Sequence, residues 1–159
     1  MSRFSYLRSM DESDLEWVLS VEQKSYDYPW SQKGFENSLD QGLNYIFCSE
    51  EGELLGYVCM LTVLDEVQLL NFCVAPNHQK KGVGKAAMDA LKMKLRESGF
   101  NLILLEVRAS NLSGQKLYQK CDFHRDGVRA NYYRCQLWDE KSMELLEGKE
   151  DAVLMSCTL

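Results

Sequence analysis

The sequence predicts an α/β fold with helices flanking a largely antiparallel sheet, and three stretches carry that expectation. Three strand-like apolar runs, residues 45–49, 54–64 and 67–74, follow one another across turn-prone Glu51-Gly52 and Asp65-Glu66, the pattern of an antiparallel meander. An amphipathic helix follows, with Gly84, Ala87, Met88, Leu91 and Leu95 on one face and Gly99 placed to end it. Residues 102–107 are apolar except for Glu106, as expected of a central strand covered on both faces.

The remaining elements read in order. Residues 4–8 form a short first strand. Ser9 to Glu12 has the S-x-x-E form of a capping box, followed by a helical stripe of Leu15, Val18, Leu19 and Tyr26. Tyr28-Pro29-Trp30 breaks that helix, and Ser31 is placed to cap a second one over residues 31–39. After the glycine-loop helix and the 102–107 strand, residues 111–120 carry Leu112, Leu117 and Tyr118 at helical spacing. Residues 123–128 and 152–157 read as closing strands, and Trp138, Met143, Leu145 and Leu146 predict an extra turn or short helix within 134–149.

No repeat or linker interrupts the 159 residues, so a single domain over 1–159 is expected. The six cysteines are scattered without a C-x-x-C pair and there are two histidines, which argues for free thiols in a reducing cytoplasm and against a metal site. No apolar run approaches the ~20 residues of a membrane span, and the first residues lack the apolar core of a secretion signal. A net charge of -6 argues against general nucleic-acid binding.

Against that acidic background Lys80, Lys81 and Lys85 cluster with Gly82 and Gly84 at a helix start. Backbone N–H groups and the positive end of the helix dipole favour an anion there, and glycine permits close approach, so a phosphate-bearing ligand is expected. A Walker loop is excluded because position 79 is Gln and position 86 is Ala. A dinucleotide loop fits Gly82-x-Gly84-x-x-Ala87 with Glu106 downstream, but residues 75–81 separate it from the strand, and the preceding strands do not alternate with helices.

Gln79-x-x-Gly82-x-Gly84, then Ser110-Asn111, then Leu117-Tyr118-x-x-x-x-Phe123 resembles the GNAT superfamily of acetyl-CoA-dependent N-acetyltransferases. The resemblance covers most of the chain in order. Leu105 to Asn111, Tyr28-Pro29-Trp30-Ser31, Asn131-Tyr132-Tyr133 and Glu150-Asp151-Ala152 are similar to its ribosomal-protein-alanine N-acetyltransferases. It implies a mixed, mostly antiparallel central sheet flanked by helices, with acetyl-CoA in a cleft between two central strands. The implied reaction is direct transfer of the acetyl group to the N-terminal alanine amine of a ribosomal protein.

The same resemblance assigns residues. Lys80, Lys81, Gly82, Val83, Gly84 and Lys85 would hold the CoA pyrophosphate. The acyl-pantetheine arm would lie along Phe72, Cys73 and Val74, where a backbone N–H can polarise the thioester carbonyl. Asn111 would contact the pantetheine arm, although a helix N-cap is equally good chemistry for it. Glu106 is the candidate base, since an apolar surround favours its proton-accepting role near neutrality; a structural partner of Arg108 is the alternative. Tyr118 matches the general acid that protonates the thiolate, its ordinary pKa of ~10 keeping the proton available. Asp65 and Glu66 are rival carboxylates better explained by a strand junction. Cys73 is expected to pack, and His78 and His124 to sit in a loop and at a strand edge.

Trp30, Tyr132 and Tyr133, with Tyr26 and Tyr28, are candidates for the acceptor groove, core packing being the other reading. Cys121-Asp122 replaces the family's leucine-glycine pair before Phe123, which alters that turn, and the 134–149 segment reshapes the acceptor side. A lysine or small-molecule amine as acceptor, and a non-catalytic acyl-CoA sensor, are the alternative functions; the pairing of Glu106 with Tyr118 disfavours the sensor.

Overall fold

The computed structural model describes residues 2–159. Among the described residues the fold is a mixed, mostly antiparallel sheet of seven strands flanked by four α-helices. The chain forms two compact units, one reaching to Ile103 and including Thr158–Leu159, the other Leu104–Cys157. No described helix is long and apolar enough to cross a membrane.

In the first unit, strands β1 (Tyr6–Ser9), β2 (Leu43–Cys48), β3 (Leu54–Val63) and β4 (Glu66–Val74) pair antiparallel in sequence order. The meander is therefore as expected, and β2 and β3 are the strands buried on both faces. One face of the sheet, carrying Ile46, Cys48, Tyr57, Cys59 and Cys73, meets Leu15, Val18 and Val21 of α1 (Leu15–Ser25) and Phe35 of α2 (Gln32–Gln41). The opposite face carries Tyr45, Phe47 and Phe72; the Phe47 and Phe72 rings lie 5.0 Å apart, and Lys94 of α3 (Val83–Glu97) stands 5.4 Å over Tyr45. Alternate residues of one strand thus serve two different helix layers.

Local chemistry sets the ends. The first cap differs from the expected Ser9/Glu12 box. Asp11 is the N-cap, accepting from Ser13 N–H at 2.9 Å, and Asp14 closes the box by accepting from Asp11 N–H at 2.9 Å. Arg8 fixes Asp14 from β1 at 2.8 Å, which favours the register two residues downstream. Tyr26 ends α1 in extended conformation and does not belong to its stripe. Ser31 caps α2 as expected, accepting from Gly34 N–H at 3.2 Å. Leu64, expected in β3, forms the hairpin turn in left-handed conformation at φ 56°.

The second unit holds most of β5 (Leu102–Arg108), α4 (Leu112–Lys120), β6 (His124–Asp139) and β7 (Glu144–Thr158), with strand order β5-β7-β6. Burial along β5 alternates rather than covering both faces: Ile103, Leu105 and Val107 are buried, and Leu104, Glu106 and Arg108 are half-buried. Residues 134–149 contain the expected turn, over 140–143 with Met143 in left-handed conformation at φ 57°, but no helix. They prolong the closing hairpin, Leu137 pairing with Leu146 and Trp138 with Leu145. Cross-strand contact accounts for Trp138, Leu145 and Leu146, while Met143 belongs to the turn. Asp139 shapes the tip by accepting from Ser142 Oγ–H at 2.7 Å.

Glu150 on β7 ties three segments together. Its carboxylate accepts from Ser110 N–H at 3.0 Å and pairs with Arg108 at 3.3 Å, while Arg108 also donates to Arg134 O at 2.8 Å. Burial pushes the Glu150 carboxyl up, but the bonds from Ser110 and Arg108 outweigh it and hold the group below the ordinary glutamate value.

Two expectations follow from this packing. A β-carbon at Gly56 would lie 2.3 Å from Cys73 O and 2.7 Å from Phe47 Cδ2. Gly56→Ala is expected to lower unfolding free energy by about 3 kcal/mol in urea denaturation. The depressed Glu150 carboxyl contributes stability that is present above its unfolded value near 4.5 and lost as pH falls through the folded value. The stability gap between wild type and Glu150→Gln, open at neutral pH, should therefore close as the pH is lowered below that range.

Candidate functional site

The first unit presents a backbone concavity where β4 runs into α3. Pro76–His78 form a single 3-10 turn, and Gln79 returns its side-chain amide to Val74 O at 3.0 Å. Lys80 and Gly82 both take left-handed conformations, at φ 62° and 80°. That conformation is unfavourable for lysine and natural for glycine, and here it turns the loop onto the helix start. Ala86 N–H makes the first bond back to the loop, to Gly82 O at 3.1 Å, so the Val83 and Gly84 N–H groups precede the hydrogen-bonded ladder. A β-carbon at Gly82 would meet nothing within 4 Å, so the loop is open to solvent on that side of Gly82. Lys81 Nζ donates to Asn77 O at 3.1 Å, Lys85 pairs with Asp89 at 2.9 Å, and Lys80 is exposed. Backbone N–H groups, the dipole of α3 and three cations fit a diphosphate.

The strand end beside this loop is held firmly. The register steps from Cys59↔Asn71 to Met60↔Leu69, leaving Leu70 as a bulge in β4. Phe72 O accepts from Tyr26 O–H at 3.2 Å. Cys73 is buried, its Sγ lies 3.5 Å from Ser25 Oγ, and burial pushes its thiol up, away from the thiolate that a nucleophile needs. Trp30 is half-buried, its ring 5.1 Å from Phe35, and with Ser31 and Gly34 it lines a shallow surface cavity. Packing and surface exposure thus coexist at this residue.

In the second unit Glu106 lies on the half-open face of β5, its side chain 22% exposed. Its partner is Arg129 of β6 at 3.2 Å rather than Arg108, which Glu150 engages. Arg129 also lies 4.7 Å over the Tyr132 ring, Tyr132 meets Tyr133 edge-on at 4.9 Å, and Arg108 lies 4.6 Å over Tyr133. A bulge over 130–132 builds this row: the register shifts between Arg129 and Tyr133, Asn131 takes φ 52°, and its N–H donates to Asp151 at 2.9 Å. Burial and the nearby Glu106 push the Tyr133 hydroxyl up to about 12, so it keeps its proton. Arg129 was not singled out from the sequence. Its position as the last paired residue before the irregularity at Asn131 is the one local signal for its role.

Asn111 caps α4, accepting from Gly114 N–H at 2.9 Å, and Gly114 has no room for a β-carbon beside that side chain. Tyr118 is 8% exposed with its ring 5.6 Å from Phe123. Asp122 takes the left-handed φ of 67° at the family's glycine position, so the turn survives the replacement. Asp65 and Glu66 close the β3–β4 hairpin, Asp65 accepting from Asn101 Nδ2–H at 2.7 Å. His78 is buried against Glu53 at 3.3 Å, within a turn rather than an open loop, and His124 is exposed at a strand start.

The sequence pattern of the acetyltransferase (GNAT) family matches residues 7–123. The [ribosomal protein bS18]-alanine N-acetyltransferase of Escherichia coli K12 is 32% identical over 94% of this chain and 95% of its own. The Haemophilus influenzae protein of that description is 33% identical over 98% and 99%. The crystal structure of the ribosomal-protein-S18-alanine N-acetyltransferase from Escherichia coli superposes with a TM-score of 0.81 at 30% identity, covering 96% of this chain and 92% of that one. On this evidence the chain belongs to the acetyltransferase (GNAT) family of acetyl-CoA-dependent N-acetyltransferases.

Proposed function

We propose that residues 1–159 act as one acetyltransferase domain that moves the acetyl group of acetyl-CoA to the N-terminal alanine amine of a ribosomal protein of the bS18 kind. The observation that carries this reading is the likeness to the bS18-alanine enzymes along nearly the full length of both chains. The donor is a co-substrate: loop 80–85 takes its diphosphate and the strand end Phe72-Cys73-Val74 takes its acyl arm, with Asn111 beside the arm.

The amine nitrogen attacks the thioester carbonyl carbon, and the negative charge that develops on oxygen is met by a strand N–H. The C–S bond breaks as the carbonyl reforms. Glu106 takes the proton released by the amine, and Tyr118 gives its proton to the departing CoA thiolate. An α-amino group with a pKa of ~7.7–8.0 is mostly protonated at neutrality but keeps a reactive neutral fraction on the order of a tenth, so modest help from one carboxylate suffices. No acyl-cysteine is formed, which agrees with the raised Cys73 thiol. Trp30, Tyr132 and Tyr133 border the acceptor. Six free thiols, all buried, support work in a reducing cytoplasm.

Purified protein, acetyl-CoA and peptides beginning Ala-Arg are expected to give one acetyl mass gain on the free α-amine with release of thiol. N-terminally blocked peptides bearing lysine should stay unmodified. Glu106→Gln should lower kcat/KM by about 10²–10⁴. Acetylation of the lysine control instead would transfer the reading to an ε-amine acceptor. Turnover undiminished in Glu106→Gln would remove that residue from the base role.

A further inference from the structure

Glu22 is the most deeply buried charged side chain that the chemistry above leaves unused, at 1% exposure in the last turn of α1. Its carboxylate accepts three hydrogen bonds, all from neutral donors. Oε1 takes Tyr57 O–H at 2.6 Å and Asn71 Nδ2–H at 2.9 Å, while Oε2 takes the backbone N–H of Trp30 at 3.0 Å. Burying a carboxylate is costly unless its lone pairs are satisfied, and an apolar residue would fill the same volume at less cost. What an apolar residue cannot supply is a fixed acceptor in two directions at once. One oxygen addresses strands β3 and β4; the other addresses the turn after α1.

The same helix end grips β4 twice more. Tyr26 O–H donates to Phe72 O at 3.2 Å, and Ser25 Oγ lies 3.5 Å from Cys73 Sγ. Asn71, Phe72 and Cys73 are therefore held by Glu22, Tyr26 and Ser25 respectively. We propose that Glu22 is a positioning residue which locks the Trp30 turn to the end of β4, so that the acceptor peptide and the acyl arm meet in fixed register. This rests on the reading that Trp30 borders the acceptor and that residues 72–74 carry the acyl arm.

Glu22→Gln separates the two directions. The remaining oxygen is held by the two donors Tyr57 and Asn71, which turns the amide nitrogen toward Trp30 N–H and replaces attraction with repulsion. Peptide KM is expected to rise about tenfold or more, while acetyl-CoA KM, set largely at loop 80–85, stays within about twofold. Backbone exchange of the Trp30 amide, followed by NMR, should speed up by about the same factor. Tyr57→Phe removes a donor from the other oxygen and leaves the Trp30 link, so it should lower the melting temperature with peptide KM within about twofold of wild type. A purely packing role would lower the melting temperature in both variants and move neither KM.

Unchanged peptide KM and unchanged Trp30 exchange in folded Glu22→Gln would overturn the proposal. Should that variant not fold, Tyr26→Phe removes the half-buried strut to Phe72 and should raise peptide KM in the same direction; no change there overturns it equally. If the wild type acetylates no α-amine, the functional reading fails on its own, and the exchange measurement, which needs no acceptor, still decides the role of Glu22.

Discussion

The first unit depends on the register of β3 against β4. Gly56 pairs with Val74 where no side chain fits between the Cys73 carbonyl and the Phe47 ring, so the strands cannot slide by a residue without a clash or a flipped face. The bulge at Leu70 lies between this locked end and the hairpin and absorbs the mismatch along the strand. Because the end of β4 is fixed, the turn at Pro76–His78, the left-handed Lys80 and Gly82, and the start of α3 follow at fixed distances along the chain. The anion-receptive loop is thus the continuation of a rigid strand.

The second unit achieves order by alternating charge and ring. Arg129, Tyr132, Tyr133 and Arg108 form a row whose two cations are each held by a carboxylate, Glu106 at one end and Glu150 at the other. Each planar guanidinium satisfies an acid and an aromatic face together, which a lysine could not do as well. The row orients Glu106 and both tyrosines without burying them completely.

Much of this was legible in the sequence where the signal is local. The meander, the α3 helix, and the caps at Ser31 and Asn111 follow from alternation, helical spacing and short-range side-chain chemistry. In residues 134–149 the turn was legible but the helix alternative failed, because Trp138, Leu145 and Leu146 satisfy a helical spacing and a cross-strand pairing equally well, and only the partner strand decides between them. The Asp11–Asp14 cap prevailed over Ser9–Glu12 because Arg8 reaches Asp14 from a neighbouring strand. Glu22 and Arg129 were invisible for a related reason. Two of the three Glu22 partners lie 35 and 49 residues away, and Arg129 reaches its ring partner across a bulge.

The bulge at 130–132 has a second effect. β6 ends its sheet and is 16 residues long, an extent of unpaired backbone that invites a strand from another molecule. Three residues out of register, with Asn131 in left-handed conformation, break that edge into two shorter pieces, and Arg125, Asp126, Arg129 and Arg134 place charges along it. The irregularity that aims the aromatic pair therefore also discourages self-association in a chain whose hairpin tip exposes Leu137, Trp138 and Leu145. Smoothing β6 into a regular strand would restore one long open edge and at the same time undo the placement of the aromatic pair.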